Sequence, residues 1–163
     1  MRDPAVGSVS SPPMRFRLID AVLQQDEDRI VAVKNVTLAE EYLADHFPSF
    51  PVLPGVFMLE ALVQAARRLC PAAPPRYVLG GVKALRYGTF VGPGETLRVE
   101  VVRQKVDEAG VVTFKGEGLV VPSGTDPADA DTAVSGRFTM RPMRIAKLAA
   151  VSGAAAAVPS HSE

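Results

Sequence analysis

One segment restricts the fold more than any other. From Pro54 the run GVFMLEALVQAARRLC places Val56, Leu59, Leu62, Val63, Ala66 and Leu69 at helical spacing and stops before Pro71. Proline suits the first position of a helix and cannot continue one, so both ends are marked. Phe57, Met58 and Ala65 fall outside any narrow stripe, so most faces of this helix are expected to be buried, with only the Arg67 and Arg68 end in water. No other stretch carries so long a helical pattern. A helix buried on most sides needs a cover, and the rest of the chain offers strands.

Met14 to Leu23 alternates Met14, Phe16 and Leu18 with Arg15 and Arg17, the period of a half-buried strand. Gln24 to Asp28 reads as a turn, and Ile30 to Val36 as a second, β-branched strand. Thr37 to Asp45 suits a short helical turn, and the proline-punctuated His46 to Pro54 suits a loop. Beyond the Pro71 to Pro75 break, strands are expected at Tyr77 to Tyr87, Thr96 to Val106, Val111 to Val121 and Ala133 to Arg141. Asp107 to Gly110 is a hairpin turn, and Gly80-Gly81 inside a strand pattern suggests a bulge. This is an α+β layout in which one antiparallel sheet covers one helix.

The remaining composition excludes several classes. At 163 residues the chain has the length of one domain, with polar or Ala-rich tails expected at 1–13 and 146–163 around a domain at 14–145. A single cysteine, Cys70, allows no intrachain disulfide and no cysteine-rich zinc module, and reads as a small apolar filler. With 18 basic and 18 acidic residues, the general attraction on which nucleic-acid binders rely is missing. No apolar run approaches the roughly 20 residues of a membrane span, and the N-terminus lacks the apolar core of a secretory signal, so a cytoplasmic protein is expected. Asp126, Asp129 and Asp131 lack the spacing of a calcium loop and read as a solvated turn, and Gly92-Pro93-Gly94 reads as a tight turn.

Histidine is scarce: His161 lies at the C-terminal end, which leaves His46, in the loop before the helix, as the candidate functional imidazole. Glu60 follows on the second turn of the helix, where a carboxylate is costly unless it is neutralised, paired or used. On residue types alone, such a pair is either structural or catalytic. The longer pattern adds to this. The segment from His46 through Phe47-Pro48, Pro51, Pro54-Gly55-Val56 and Glu60-Ala61 to Gln64 resembles the HFPGxPxxPGVxxxEAxxQ signature of the FabZ-type 3-hydroxyacyl-(acyl carrier protein) dehydratases, and the related FabA type has Asp at the position of Glu60. Lys34-Asn35-Val36-Thr37, Lys83-Ala84, Val91 to Glu95 and Lys115-Gly116 extend the resemblance over roughly Met14 to Met140.

That resemblance implies the hotdog fold, a curved antiparallel sheet around one long central helix. It also implies dehydration of a 3-hydroxyacyl thioester on an acyl carrier protein to the trans-2-enoyl thioester. His46 would be the base that removes the proton beside the carbonyl, and Glu60 the acid that protonates the departing hydroxyl. The Gly55 amide at the helix N-terminus would donate to the thioester carbonyl, and Gln64, one turn past Glu60, would orient the carboxyl group. Pro54, Val56 and Phe50 complete the expected substrate-binding set. Acid and base are expected from opposite subunits, which implies a homodimer, with a trimer of dimers as a further assembly. No metal or other cofactor is implied. Ser49 stands where the family pattern has Gly, and a left-handed backbone there would cost serine about 1 kcal/mol and shift the His46 loop. A hotdog thioesterase and a catalytically weak acyl-binding or scaffold subunit are the alternatives, and the retained His46 favours dehydration. Arg67, Arg68, Arg76, Lys83 and Arg86 are candidates for docking an acidic carrier.

Overall fold

The computed structural model describes residues 16–72, 75–122 and 130–144. The expected tails at 1–13 and 146–163 lie outside the described residues, as do Asp126 and Asp129 of the expected solvated turn. In chain order the elements are β1 (Ala21–Gln25), β2 (Arg29–Asn35), a 3-10 turn at Glu41–Leu43, the helix α1 (Gly55–Arg67), β3 (Tyr77–Tyr87), β4 (Thr96–Val106), β5 (Val112–Val121) and β6 (Asp131–Pro142). The strands form one six-stranded antiparallel sheet in the order β1-β2-β4-β5-β6-β3. The α+β layout read from the sequence is therefore present.

The sheet wraps α1 because its concave face supplies the apolar cover that the helix requires. Along β5 the alternation is clean: Val112, Phe114, Gly116, Gly118 and Val120 point inward, while Lys115 and Glu117 are exposed. Met58, Ala61, Leu62, Ala65 and Ala66 of α1 are buried in the same cluster as Leu97, Val99, Phe114, Phe138 and Met140 of the sheet. Gly116 permits the close approach, since a Cβ there would stand 3.1 Å from both Leu62 methyls and 3.0 Å from the Phe138 ring.

Two expectations are corrected. The first strand does not run from Met14 to Leu23, because its ladder begins only at Ala21. The backbone before it spends its hydrogen bonds on the helix: the Leu18 amide donates to Gln64 Oε1 at 2.9 Å, and the Phe16 carbonyl accepts from Gln64 Nε2 at 3.3 Å. Nor is α1 buried on nearly every side. Val56 is 66% exposed, and Phe57, Leu59, Glu60 and Gln64 are only half-buried, so the helix keeps one face that its own sheet does not cover. The Gly80-Gly81 bulge is present as a register shift between Leu79 and Gly81, and a second shift lies between Lys83 and Arg86, around the left-handed Ala84.

Strand β3 closes one end of the sheet. It pairs with β6, and among the described residues no strand pairs with its other edge. Leu79, Val82 and Tyr87 are exposed along it.

Cys70 is buried just past the helix, and desolvation pushes its thiol from 9.0 to about 11. A raised value means less thiolate in the folded protein than in the unfolded chain. At pH 8 a disulfide reagent should therefore react with native Cys70 about a hundredfold more slowly than with the urea-unfolded chain. Equal rates would place the thiol in water.

Candidate active site

The loop that carries His46 is fixed at both ends. Upstream, the 3-10 turn is anchored by buried Leu43 and by Lys34, whose Nζ lies 2.6 Å from Glu40 Oε1 and 3.3 Å from Asp20 Oδ1. Lys34 is the buried charged side chain of the described core, so these two carboxylates offset its loss of water. Tyr42 packs edge-on against Phe16 and Phe57, and its burial beside Glu40 and Asp20 holds the phenol well above its usual range. Downstream, the Leu53 amide donates to the Val91 carbonyl at 2.8 Å, which joins the His46 loop to the Gly92 to Glu95 turn. That turn is itself closed by the Gly92 amide on Glu95 Oε2 at 2.6 Å.

The left-handed residue in the loop is Phe47 (φ 52°), not Ser49. The expected conformational penalty at Ser49 therefore does not arise. The strain falls on the residue beside His46, where the two rings lie 4.5 Å apart and the Phe50 amide closes a turn on the Phe47 carbonyl at 2.8 Å.

His46 is half-buried and lines a hollow of about 230 Å³ with Phe47, Leu53, Gly55, Met58 and Tyr87. Gly55 is the first residue of α1, where amides precede any intrahelical acceptor and remain available as donors. Buried Pro54 caps the helix, its carbonyl accepting from the Phe57 and Met58 amides at 2.8 and 3.2 Å. The hollow thus combines an imidazole, a helix N-terminus and apolar walls, which suits the polarised head of an acyl group.

Glu60 is elsewhere. It is half-buried and lines a second hollow of about 690 Å³ with Phe16, Ile19, Gln64, Arg67 and Arg68. Its Oε1 accepts from Gln64 Nε2 at 3.1 Å, and among the described residues it forms no ion pair. One amide side chain therefore holds both Glu60 and the segment Phe16 to Leu18 that leads into β1. The separation from His46 follows from helix geometry, since five residues at about 100° each put Glu60 about 140° around the axis from Gly55 and ~7.5 Å further along it. Within one chain the structure brings together His46 and Gly55, and separately Glu60 and Gln64. Val56 and Phe50 line neither hollow: both are exposed, and Phe50 stands edge-on to Phe90 with ring centroids 5.8 Å apart.

Tyr87 also reaches the His46 hollow, and no motif in the sequence marks it as functional. Its ring lies flat enough on Gly55 that a Cβ there would come within 3.0 Å of Cε1, and partial burial raises the phenol. The available signal was its place four residues before the Val91 to Glu95 turn, which is tied to the His46 loop. Gly55→Ala should push this ring across the hollow and lower turnover about tenfold or more with little loss of stability. Tyr87→Ala in the same chain should restore part of it. Unchanged turnover in Gly55→Ala would mean that the ring position is irrelevant.

A curved antiparallel sheet around one central helix, with an imidazole at that helix's N-terminus and a carboxylate on its second turn, defines a hotdog-fold protein of the dehydratase kind. Comparison with known proteins agrees. Residues 22–124 match the model of the ApeI-like family, described as ApeI dehydratase. The 3-hydroxyacyl-[acyl-carrier-protein] dehydratase FabZ of Albidiferax ferrireducens is 39% identical over 141 residues, covering 80% of this chain and 87% of that protein. FabZ of Solibacter usitatus is 38% identical over 111 residues, covering 62% and 68%. The chain belongs to this dehydratase family. Among solved structures, the dehydratase heterocomplex ApeI:P from Xenorhabdus doucetiae matches with a TM-score of 0.54 at 19% identity, over 78% of this chain and all but 1% of that one, which is 99% covered. A thioesterase superfamily member from Thermus thermophilus matches with 0.56 at 20% identity, over 76% and 87%, a likeness of fold alone.

Proposed function

We propose that the protein removes water from 3-hydroxyacyl thioesters carried on an acyl carrier protein, giving trans-2-enoyl thioesters. The observation that carries this reading is the pairing of His46 with the Gly55 helix terminus and of Glu60 with Gln64, in a chain whose curated relatives are named as such dehydratases. The Gly55 amide polarises the thioester carbonyl, which acidifies the C2 proton, and His46 takes that proton. The electron pair of the C2–H bond becomes the new double bond as the C3–O bond breaks, and the hydroxyl leaves as water with a proton from Glu60. Atoms and charge balance, and the final protons return through solvent.

The working unit is a homodimer in which His46 of one protomer meets Glu60 of the other. Three features support it: the two groups line different hollows in one chain, α1 keeps a face uncovered by its own sheet, and β3 presents an exposed edge that no strand among the described residues pairs with. The experiment is incubation with 3-hydroxyacyl carrier thioesters of several chain lengths, followed by mass spectrometry. The expected result is loss of one water with the acyl chain still attached. Release of free acid would indicate a thioesterase, and an unchanged substrate series an acyl-binding subunit.

A further inference from the structure

The hollow that holds Glu60 extends in one direction along the helix. Its walls on α1 are Glu60, Gln64, Arg67 and Arg68, so from Glu60 it runs only toward the C-terminal end of the helix. Phe16, Ile19 and Val22 supply apolar wall from the start of β1 and the segment before it. Seven residues of helix put Arg67 ~10.5 Å beyond Glu60 and about 20° around the axis, so both side chains leave the same side of α1. Arg67 also lines a third hollow, of about 470 Å³, with Cys70, Pro71, Tyr77, Val78 and Met143. Burial raises the Cys70 thiol and the Arg67 charge offsets part of that rise, which fits a guanidinium close to this third hollow. Among the described residues Arg67 is the one side chain that the two hollows have in common. Neither Arg67 nor Arg68 lies in an ion pair among the described residues, and both are exposed, so their charges depend on water.

We propose that Arg67 ends the acyl site and sets the length of chain that the enzyme accepts. The proposal rests on the dehydratase reading, which puts C3 of the substrate at Glu60. The hollow at His46, about 230 Å³, takes the thioester head, so the tail beyond C3 follows the larger hollow of about 690 Å³ toward Arg67. A stretched decanoyl tail ends close to the ~10.5 Å that separates Glu60 from Arg67 along the helix. A tail of that length or shorter packs against Phe16, Ile19 and Val22 and leaves the guanidinium in water. A longer saturated tail has to replace water around Arg67 with hydrocarbon, which offers the cation no acceptor. Truncation of Arg67 joins the two hollows, and Tyr77, Val78 and Met143 then give the tail an apolar continuation.

The test is kcat/KM for carrier thioesters of 3-hydroxyhexanoyl, 3-hydroxydecanoyl and 3-hydroxytetradecanoyl chains, in wild type, Arg67→Ala and Arg68→Ala. Wild-type kcat/KM should fall about tenfold or more from the decanoyl to the tetradecanoyl substrate. In Arg67→Ala the ratio of tetradecanoyl to hexanoyl kcat/KM should rise about tenfold or more above its wild-type value. Arg68→Ala, which removes an equal charge from one hollow only, should move that ratio far less. A wild type that treats the three lengths alike overturns the proposal, as does a ratio unmoved by Arg67→Ala or moved equally by Arg68→Ala. If Arg67→Ala does not fold, the shorter and uncharged Arg67→Gln is read in the same way. If the wild type dehydrates no chain, the dehydratase reading fails separately. Titration with the same thioesters then decides: tighter binding of the tetradecanoyl chain by Arg67→Ala upholds the end wall, and equal affinities overturn it.

Discussion

His46→Ala should lower enoyl formation by about 10²–10⁴-fold, the range typical of a general base, while leaving the fold intact. The structure gives a reason for both parts. The imidazole is half-buried against a hollow, and its ring contact is with the exposed Phe47. The loop is held by other bonds, from Leu53 to Val91 and from Lys34 to Glu40. Steady-state turnover and the urea midpoint of the variant check the two parts. Turnover within twofold of wild type would make His46 a loop residue, and a collapsed midpoint would make it a packing residue.

Glu60→Gln should cost a comparable factor in turnover for a different reason. The substitution keeps the shape, and its side-chain oxygen can still accept from Gln64 Nε2, so the clamp on Phe16 to Leu18 survives. On the proposed mechanism, what it removes is the proton for the leaving hydroxyl. Binding of an enoyl product thioester should therefore persist while turnover falls. Because Glu60 forms no ion pair among the described residues, no cation is stranded and the urea midpoint should move little. A large loss of stability with turnover retained would assign Glu60 to the fold.

The fold is legible in the sequence where breakers and period agree. Strands β3 and β4 have the bounds expected from Pro75 and from the Gly92 to Glu95 turn, and α1 begins next to Pro54. The fold is not legible where a side chain competes with the backbone ladder, since alternation in Met14 to Leu23 cannot reveal that Gln64, some 46 residues away, takes the Leu18 amide. Likewise, a motif places His46 and Glu60 at a spacing but not in a cavity. Their assignment to separate hollows depends on where the sheet leaves α1 bare, which is a tertiary property. The left-handed backbone of Phe47 is closed by the Phe50 amide three residues on, but phenylalanine is not a residue type that announces that conformation, so the sequence gives no sign of it.

The proposed sharing of the site between protomers can be tested directly with coexpressed, differently tagged His46→Ala and Glu60→Gln chains, purified as mixed dimers and assayed for enoyl formation. A mixed dimer with sites built across the interface contains one site with both residues mutated and one with both intact. It should work at about half the wild-type rate per dimer, far above either parent variant. Mixed dimers no more active than the parents would contradict a site built from His46 of one protomer and Glu60 of its partner.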